Sequence, residues 1–322
     1  MTTELTTQWN VLTKDPPGSP AWLLAHKGRY GSNDVSTIMG VNRHKSRMRL
    51  WAEMTERTER EDLSSLPHIR RGTLLEPIVL QLFAKETGKE ILPSPGLVQH
   101  PTLSCVAITP DAMTDDGQAV VEVKTVGMHM RRTWMDGVPL GVHVQGAAQS
   151  WVLGLGVMYF AAFCLDASDV DEDDEDSDGA PKGDPLLLWA KRDVNPKLIE
   201  VMGNEVVAFH EDHVLKDIPP NPDDDLKAVK DAWKQEVRGK VIELPAELEI
   251  DLVRNFEIAS LRTALKKEQD GCKARIGVAM QDAEYARTPG GLCVRYKVEP
   301  RKGHYVEACE PRVLRKVKAV GS

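Results

Sequence analysis

The sequence predicts a mixed α/β protein with a C-terminal extension, and three observations support this class. Segments with helical spacing alternate with short extended segments along residues 22–213. A Pro- and Asp-rich break at 219–225 separates that part from a longer helical pattern over 246–287. The chain of 322 residues, 41% apolar and 28% charged, is long enough for a sizeable core.

The helices follow from apolar spacing and from glycines at their ends. A helical pattern over 22–58 is interrupted at Gly40, a residue type that commonly ends helices. A second helix is predicted over 67–87, because apolar residues recur every third or fourth position and Gly88 follows. Further helices are predicted over 142–152 and 194–213, and 246–287 forms one long helix or a helical hairpin around Gly271.

Extended segments alternate with these helices, at 96–99, 104–109, 119–125, 158–165 and 185–193, and the chain ends in β-like segments. The stretch TPDAMTDDGQAVVEVKT, residues 109–125, predicts a β-hairpin with its polar turn at 114–118. The expected domains are a flexible leader over 1–20, a core over 21–218 and a helical and β extension over 219–322.

The net charge of −8 is distributed unevenly. Residues 166–184 hold ten acids and one lysine, so they are expected to form a disordered acidic insert. The rest of the chain has 39 acids and 40 bases, and residues 291–322 have eight bases and three acids. A polyanionic partner is therefore compatible with the charge.

Several classes of protein are disfavoured. No run of 18 apolar residues predicts a membrane span, and the N-terminus lacks the pattern of a secretory signal. The five cysteines include no CxxC pair, which argues against a disulfide scaffold, a zinc finger or an iron–sulfur cluster. A reducing, cytoplasmic compartment is expected.

The hairpin carries three charges that are candidates for a metal site. Glu122 and Lys124 lie on one strand face, the Val123 carbonyl is adjacent, and the turn brings Asp111 beside Glu122. Two carboxylates and a carbonyl are suitable ligands for Mg²⁺, and enzymes that hydrolyse phosphodiesters use this ion. The lysine can orient or deprotonate the attacking water. The alternative is a turn aspartate and a solvated strand face.

Two neighbouring segments add candidates with their own alternatives. Glu76 either belongs to a capping box with Thr73 or points inward from a helix kinked at Pro77. Ser32 and Asn33 either cap a helix or bind phosphate. Two basic residues soon after this strand, Arg131 and Arg132, either meet phosphates or form ordinary surface.

Four blocks in this order carry a family resemblance: GSND…IMGVN…LWAEMT, RGTLLEP…FAKETG, TPDAM…VVEVKT and VQGAAQSWVLG. Over roughly residues 22–215 the chain resembles the YqaJ-type viral recombinases, relatives of phage lambda exonuclease in the PD-(D/E)XK nuclease superfamily. The resemblance implies a restriction-endonuclease-like core, with a central mixed sheet flanked by helices. It also implies a Mg²⁺-dependent exonuclease that degrades duplex DNA from its ends, 5′ to 3′, with Mn²⁺ as a substitute metal.

The resemblance assigns roles by position: metal ligands or their supports at Glu76, Asp111, Glu122 and Val123, the lysine at Lys124, and a helix glutamine at Gln145. The chain departs from the family at two places. Asn33 stands where the family has a serine, and His26 or Lys27, with Arg29 nearby, stands where the family has an arginine. Those residues are candidates for phosphate binding. A single-strand annealing protein, a ring-shaped trimer and a bacterial host cytoplasm are also implied. An endonuclease or nickase, and a non-catalytic DNA-binding accessory protein, are the alternatives.

Overall fold

The computed structural model describes residues 9–63, 65–114, 116–165 and 186–296. The chain divides into two compact units, Met1–Trp233 and Lys234–Ser322. The expected acidic insert lies outside the described residues, as does the basic end of the chain from residue 297 onward. In the first unit the helices are α1 Pro20–His26, α2 Ser32–Ile38, α3 Arg47–Met54, α4 Pro67–Thr87, α5 Met128–Met135, α6 Leu140–Leu153, α7 Pro196–Ala208 and α8 Leu226–Ala232.

The central sheet has the strand order β2–β5–β6–β7–β8. Its strands are β2 Ile91–Pro93, β5 Ala112–Thr114, β6 Ala119–Val126, β7 Val157–Cys164 and β8 Leu187–Asp193. The β6–β7 pair is parallel and the other pairs are antiparallel, so the sheet is mixed. The β5–β6 pairing confirms the predicted hairpin.

A smaller sheet lies in the same unit. It consists of β1 Asn10–Thr13, β3 Leu97–Gln99 and β4 Ala107–Ile108, in the order β1–β3–β4. The structure differs here from the expected leader over 1–20, because residues 10–13 form a strand. A four-residue strand is held by its pairing with β3, distant along the chain, and its local sequence carries little signal.

The two faces of β6 enter different cores, as the two-residue period of a strand requires. Val120 and Val126 pack into the core that contains α6, whereas Val121 and Val123 pack against α4. Glu122 shares the face of Val120 and so lies toward α6. The central sheet is therefore covered by helices on both faces.

Helix α4 runs through Pro77 and ends at Gly88, whose φ of +66° is the left-handed conformation that glycine adopts easily. The capping-box alternative for Glu76 is wrong: the helix begins at Pro67, so Glu76 is in its interior. The Thr73 hydroxyl instead donates to the carbonyl of Ile69 at 3.3 Å.

The start of α2 also differs from the simple capping expected of Ser32 or Asn33. Gly31 is the N-cap residue, and its backbone N–H donates to Oδ2 of Asp34 at 3.0 Å. The carboxylate at the third helical position thus satisfies the orphan N–H group and suits the positive end of the helix dipole.

The unit boundary falls after Trp233, beyond the expected boundary at 218, because α8 packs on α3. Arg49 pairs with Asp231 at 2.6 Å, and the rings of Trp51 and Trp233 have centroids 5.6 Å apart. A π-helical turn, Phe209–Leu215, continues α7 toward this contact.

The second unit contains α9 Leu248–Met280 and an antiparallel pair, β9 Tyr285–Arg287 with β10 Cys293–Arg295. The segment is thus one long helix rather than a helical hairpin, since Gly271 lies inside α9 without ending it. Among the described helices, none has the length and apolar run needed to cross a bilayer.

Candidate active site

The β5–β6 hairpin brings Asp111 beside the strand that carries Glu122. Oδ2 of Asp111 accepts a hydrogen bond from the backbone N–H of Val123 at 2.7 Å. A strand residue directs its N–H and its carbonyl to the same edge, so the Val123 carbonyl also faces the Asp111 side. The pairing of β5 with β6 reaches Val121 and leaves this edge open at Val123. One carboxylate and one main-chain carbonyl therefore converge beside Glu122.

The carboxylate of Glu122 is buried, and each of its oxygens accepts a hydrogen bond. Oε1 accepts from Nζ of Lys124, two positions along the same strand face, and Oε2 accepts from Nε2 of Gln149. Glu122 is 3% exposed and Gln149 is 2% exposed. Sequence reasoning placed Lys124 here but missed Gln149.

Helix α6 reaches Glu122 because it lies unusually close to the sheet. It connects the parallel strands β6 and β7 and packs on both. A Cβ atom added at Gly146 would lie 2.7 and 2.8 Å from ring carbons of Phe160 on β7, so the close approach needs glycine. Gln149 follows one helical turn later and projects onto Glu122.

Burial and like charge shift the pKa values in this cluster. Burial, and then the charge of Glu122, raises the pKa of Asp111 well above its usual range, and the same two causes raise the pKa of Glu76. Burial acts to lower the pKa of Lys124, but the charges of Glu122 and Asp111 outweigh it and raise that pKa. Lys124 is therefore an ammonium at neutral pH. Three carboxyl groups around one ammonium leave a deficit of positive charge.

Gln145 and Asn33 meet one turn away from Gln149. Nε2 of Gln145 donates to Oδ1 of Asn33 at 3.1 Å, and Nδ2 of Asn42 donates to the same oxygen at 3.1 Å. The structure thus links α6 to α2 through two predicted residues, while Ser32 begins α2 next to Asn33. The described hydrogen bonds of Gln145 join it to Asn33 rather than to the acids.

Four basic residues were candidates for phosphate contacts: Lys27, Arg29, Arg131 and Arg132. Lys27 pairs with Glu56 at 2.8 Å with both side chains exposed, and Nη1 of Arg29 donates to the carbonyl of Ala25 at 2.8 Å. Arg131 and Arg132 lie on α5, directly after β6. Arg29 is thus held by its own main chain, whereas Arg132 is exposed.

A second buried polar cluster was not found from the sequence. Asp34 accepts from Arg60 at 2.9 Å and from Lys45 at 3.0 Å, and Nη1 of Arg60 lies 3.2 Å from Nδ1 of His26. Arg60 reaches this cluster from the chain after α3, far from α1 and α2 in sequence. Sequence spacing gives no signal for such a contact.

The acids fit a hard divalent cation if the main chain and solvent contribute. Among the described residues, no group of three or more His, Cys, Asp and Glu side chains is arranged to hold a metal ion. Asp111, Glu122 and the Val123 carbonyl offer two carboxylates and one carbonyl on the open edge of β6. Mg²⁺ characteristically takes one or two carboxylates, with waters and substrate phosphates. The residues therefore fit Mg²⁺ bound in that manner.

A mixed sheet with helices on both faces, an acid before a hairpin and Glu-x-Lys on the following strand is the arrangement of the PD-(D/E)XK-like fold. Within that class, residues 21–156 match the model of the YqaJ-like viral recombinase domain. The uncharacterized protein YqaJ of Bacillus subtilis (strain 168) is 24% identical over 271 residues, which cover 82% of this chain and 79% of that protein. The resemblance that the sequence motifs indicate is confirmed.

The fold is also found in a solved structure. LHK-Exo in complex with dAMP gives a TM-score of 0.50 and 22% identity, over 62% of this chain and 94% of that chain. The alkaline exonuclease (LHK-Exo) from Laribacter hongkongensis gives 0.49 and 21%, with the same coverage. At this identity the likeness concerns the fold, and the predicted fold class is confirmed.

Proposed function

We propose that this protein is a divalent-metal-dependent deoxyribonuclease, an exonuclease that degrades linear duplex DNA 5′ to 3′ in phage-type recombination. The observation that carries the proposal is the cluster of Asp111, Glu122 and Lys124 at the open edge of β6. Burying repelling carboxyl groups destabilises a fold, so their presence together favours a function that needs them.

Asp111, Glu122 and the Val123 carbonyl would hold Mg²⁺ or Mn²⁺, and Glu76 would position a second ion or its waters. The bound cation supplies an activated water and relief of charge on the phosphoryl group. The Lys124 ammonium orients the attacking water or a phosphate oxygen. Gln145, through its hydrogen bond to Asn33, would hold α6 against α2 and support the site.

DNA as substrate and the exonuclease activity are supported by the relatives. One solved structure of the same fold is named an alkaline exonuclease, and the matching domain is named for viral recombinases. The proposal also includes duplex DNA with free ends as the substrate, a single-strand annealing protein as a partner, and a homotrimeric assembly. Contacts to DNA phosphates are proposed for Ser32, Asn33, Arg131, Arg132, Lys27 and Arg29.

Digestion of linear duplex DNA with Mg²⁺ tests the proposal. Lys124→Ala and Asp111→Ala are each expected to lower the rate by on the order of 100-fold or more, since each removes a group that acts on the reacting atoms. Lys197→Ala, at an exposed lysine in the first turn of α7, is the control and keeps the wild-type rate. Equal rates for all four proteins would contradict the proposal.

Closed circular DNA separates the exonuclease from an endonuclease or nickase, because an enzyme that needs ends leaves circles intact. Duplexes labelled at the 5′ or the 3′ end report polarity, and a 5′-to-3′ enzyme releases the 5′ label first. Calorimetric titration with Mg²⁺ separates an enzyme from a non-catalytic DNA-binding protein. Loss of binding in Glu122→Gln is required by the enzyme and not by the accessory protein.

A further inference from the structure

We infer that Gln149 is a positioning residue that fixes the carboxylate of Glu122 so that its Oε1 receives the metal ion. The inference rests on the proposed function and deepens it. Its basis is the hydrogen bond from Nε2 of Gln149 to Oε2 of Glu122, buried beneath the hairpin. Nothing in the motif spacing that identifies the acids points to this glutamine.

The orientation of the Gln149 amide follows from electrostatics. If the amide were rotated by half a turn, its oxygen would face the Glu122 carboxylate, and two acceptors would repel each other. The donor therefore points at Glu122. A hydrogen bond to an ionised acceptor is roughly twice as strong as one between neutral groups, so it holds the carboxylate plane in place.

The two sides of the Glu122 carboxylate differ in access. Oε2 faces Gln149, which is 2% exposed, whereas Oε1 faces Lys124, whose side chain is 34% exposed. Oε1 is thus on the side of the carboxylate that a cation from solvent would approach. On the Oε2 side, the neutral amide of Gln149 is held in place by packing.

The other atom of the amide argues for a functional role. Oε1 of Gln149 is buried and has no hydrogen-bond partner among the described residues. An unpaired buried acceptor destabilises the fold, so its presence in a native protein needs an explanation, and a role at a functional site is one.

The packing of helix α6 places the side chain of Gln149 against Glu122. Gly146 brings the helix onto Phe160, and the positions around Gln149 are small or apolar, with Ala147 and Ala148 fully buried. The buried hydroxyl of Ser150, the next residue, has no hydrogen-bond partner among the described residues. Ser150 is therefore a matched control on the same helix.

The test compares metal affinity in Gln149→Met, which keeps the length of the side chain and removes the donor, with that of the wild type and Ser150→Ala. Titration calorimetry with Mg²⁺ and with Mn²⁺, in the full chain without DNA, gives the dissociation constants. Loss of a group that orients a metal ligand weakens affinity by about 10- to 100-fold. We expect that loss in Gln149→Met, and the wild-type constant in Ser150→Ala.

Kinetics give a second readout. At saturating DNA and limiting Mg²⁺, kcat of Gln149→Met falls while KM for DNA is unchanged, and excess Mg²⁺ restores part of kcat. A residue that merely supported the fold would lower the amount of active enzyme and would not respond to metal concentration. Gln149→Asn, whose shorter amide does not reach Glu122, should also have a lower kcat that excess Mg²⁺ restores in part.

A failure of the proposed function and a failure of the Gln149 inference give different results. If the wild type binds no metal and cuts no DNA, the proposed function is wrong. If the wild type binds metal and cuts DNA, and a folded Gln149→Met or Gln149→Asn protein has the wild-type dissociation constant, the role of Gln149 is overturned while the nuclease proposal stands. Circular dichroism establishes which variants are folded.

Discussion

Gly146 shows how one absent side chain sets the geometry of the site. We expect Gly146→Ala to destabilise the protein by about 1–3 kcal/mol, because the new methyl group would lie 2.7 Å from the Phe160 ring and force α6 away from β7. The movement would carry Gln149 away from Glu122, so metal affinity falls as well. Urea unfolding monitored by circular dichroism measures the loss of stability.

Gly72 on α4 is the matched control, since it is also a helical glycine. A Cβ atom there meets nothing within 4 Å, and its φ is not in the left-handed region. Gly72→Ala should therefore stabilise the protein by roughly 0.5–1 kcal/mol through helix propensity. Equal effects of the two substitutions would show that packing against Phe160 does not explain Gly146.

The buried cluster around Asp34 predicts how stability depends on pH. Burial, then the charge of Arg60, lowers the pKa of His26 to about 4, and the charges of Lys45 and Arg60 outweigh burial to lower that of Asp34 to about 2. Below pH 6.5 the unfolded chain protonates His26 before the folded protein does. The contribution of His26 to stability is therefore full above that pH and falls by about 3 kcal/mol as the pH drops to 4. The Asp34 contribution is lost between about pH 4 and 2.

Urea unfolding at a series of pH values measures this dependence of stability on pH. His26→Gln removes the part of it that His26 causes between pH 6.5 and 4. Relative to its own stability at pH 7, the variant should lose much less than the wild type between pH 6.5 and 4. His44→Gln, at an exposed histidine, is the control and keeps the wild-type slope. A wild-type slope in His26→Gln would mean that other groups cause the acid sensitivity.

The acids could be predicted from sequence because a strand and its hairpin fix their neighbours. Glu122 and Lys124 share a face through the two-residue period, and the turn returns the chain to Asp111. Gln149 could not be predicted in the same way. Its contact depends on how closely α6 approaches the sheet, which is decided by the packing of Gly146 on Phe160.

Helix α4 combines a glutamate of the candidate site, Glu76, with a proline in the helix interior. Pro77 lacks the N–H that would bond to the carbonyl of Thr73, and such a proline costs about 3 kcal/mol or more. We expect Pro77→Ala to raise the free energy of unfolding by about 1–3 kcal/mol, since the exposed site accommodates alanine. The measurement is again urea unfolding.

Pro67 is the matched control on the same helix. It occupies the first helical position, where no N–H is needed and proline is favourable. Pro67→Ala should change stability by less than about 1 kcal/mol. If Pro67→Ala stabilised the protein as much as Pro77→Ala does, the missing hydrogen bond would not be the reason.

Elements with strong local signals could be predicted, and those that depend on distant partners could not. Helix α4 has a continuous apolar period and a glycine at its end, so its predicted bounds of 67–87 match Pro67–Thr87. Strands β1 and β2, of four and three residues, owe their conformation to pairing with β3 and β5. The continuous helix α9 could not be distinguished from a hairpin, because the helix tolerates Gly271 in its interior.

At the level of the whole chain, the limit of the first unit is set by side-chain contacts rather than by composition. The Pro- and Asp-rich segment at 219–225 has the composition of a linker, yet its last residue holds α3. Oδ2 of Asp225 accepts from the Ser46 hydroxyl at 2.6 Å, and the side chain also caps α8. The unit therefore extends through α8 to Trp233.

Two truncated chains test this limit. A chain ending at residue 233 keeps the contacts of α8 with α3 and should unfold cooperatively with the stability of the first unit intact. A chain ending at 218 loses the Arg49–Asp231 ion pair and the packing of Trp233 on Trp51, and should be less stable by roughly 3 kcal/mol. Urea unfolding followed by tryptophan fluorescence compares them. Equal midpoints would place the boundary at 218, and DNA cleavage by the longer chain would show that 234–322 is dispensable for hydrolysis.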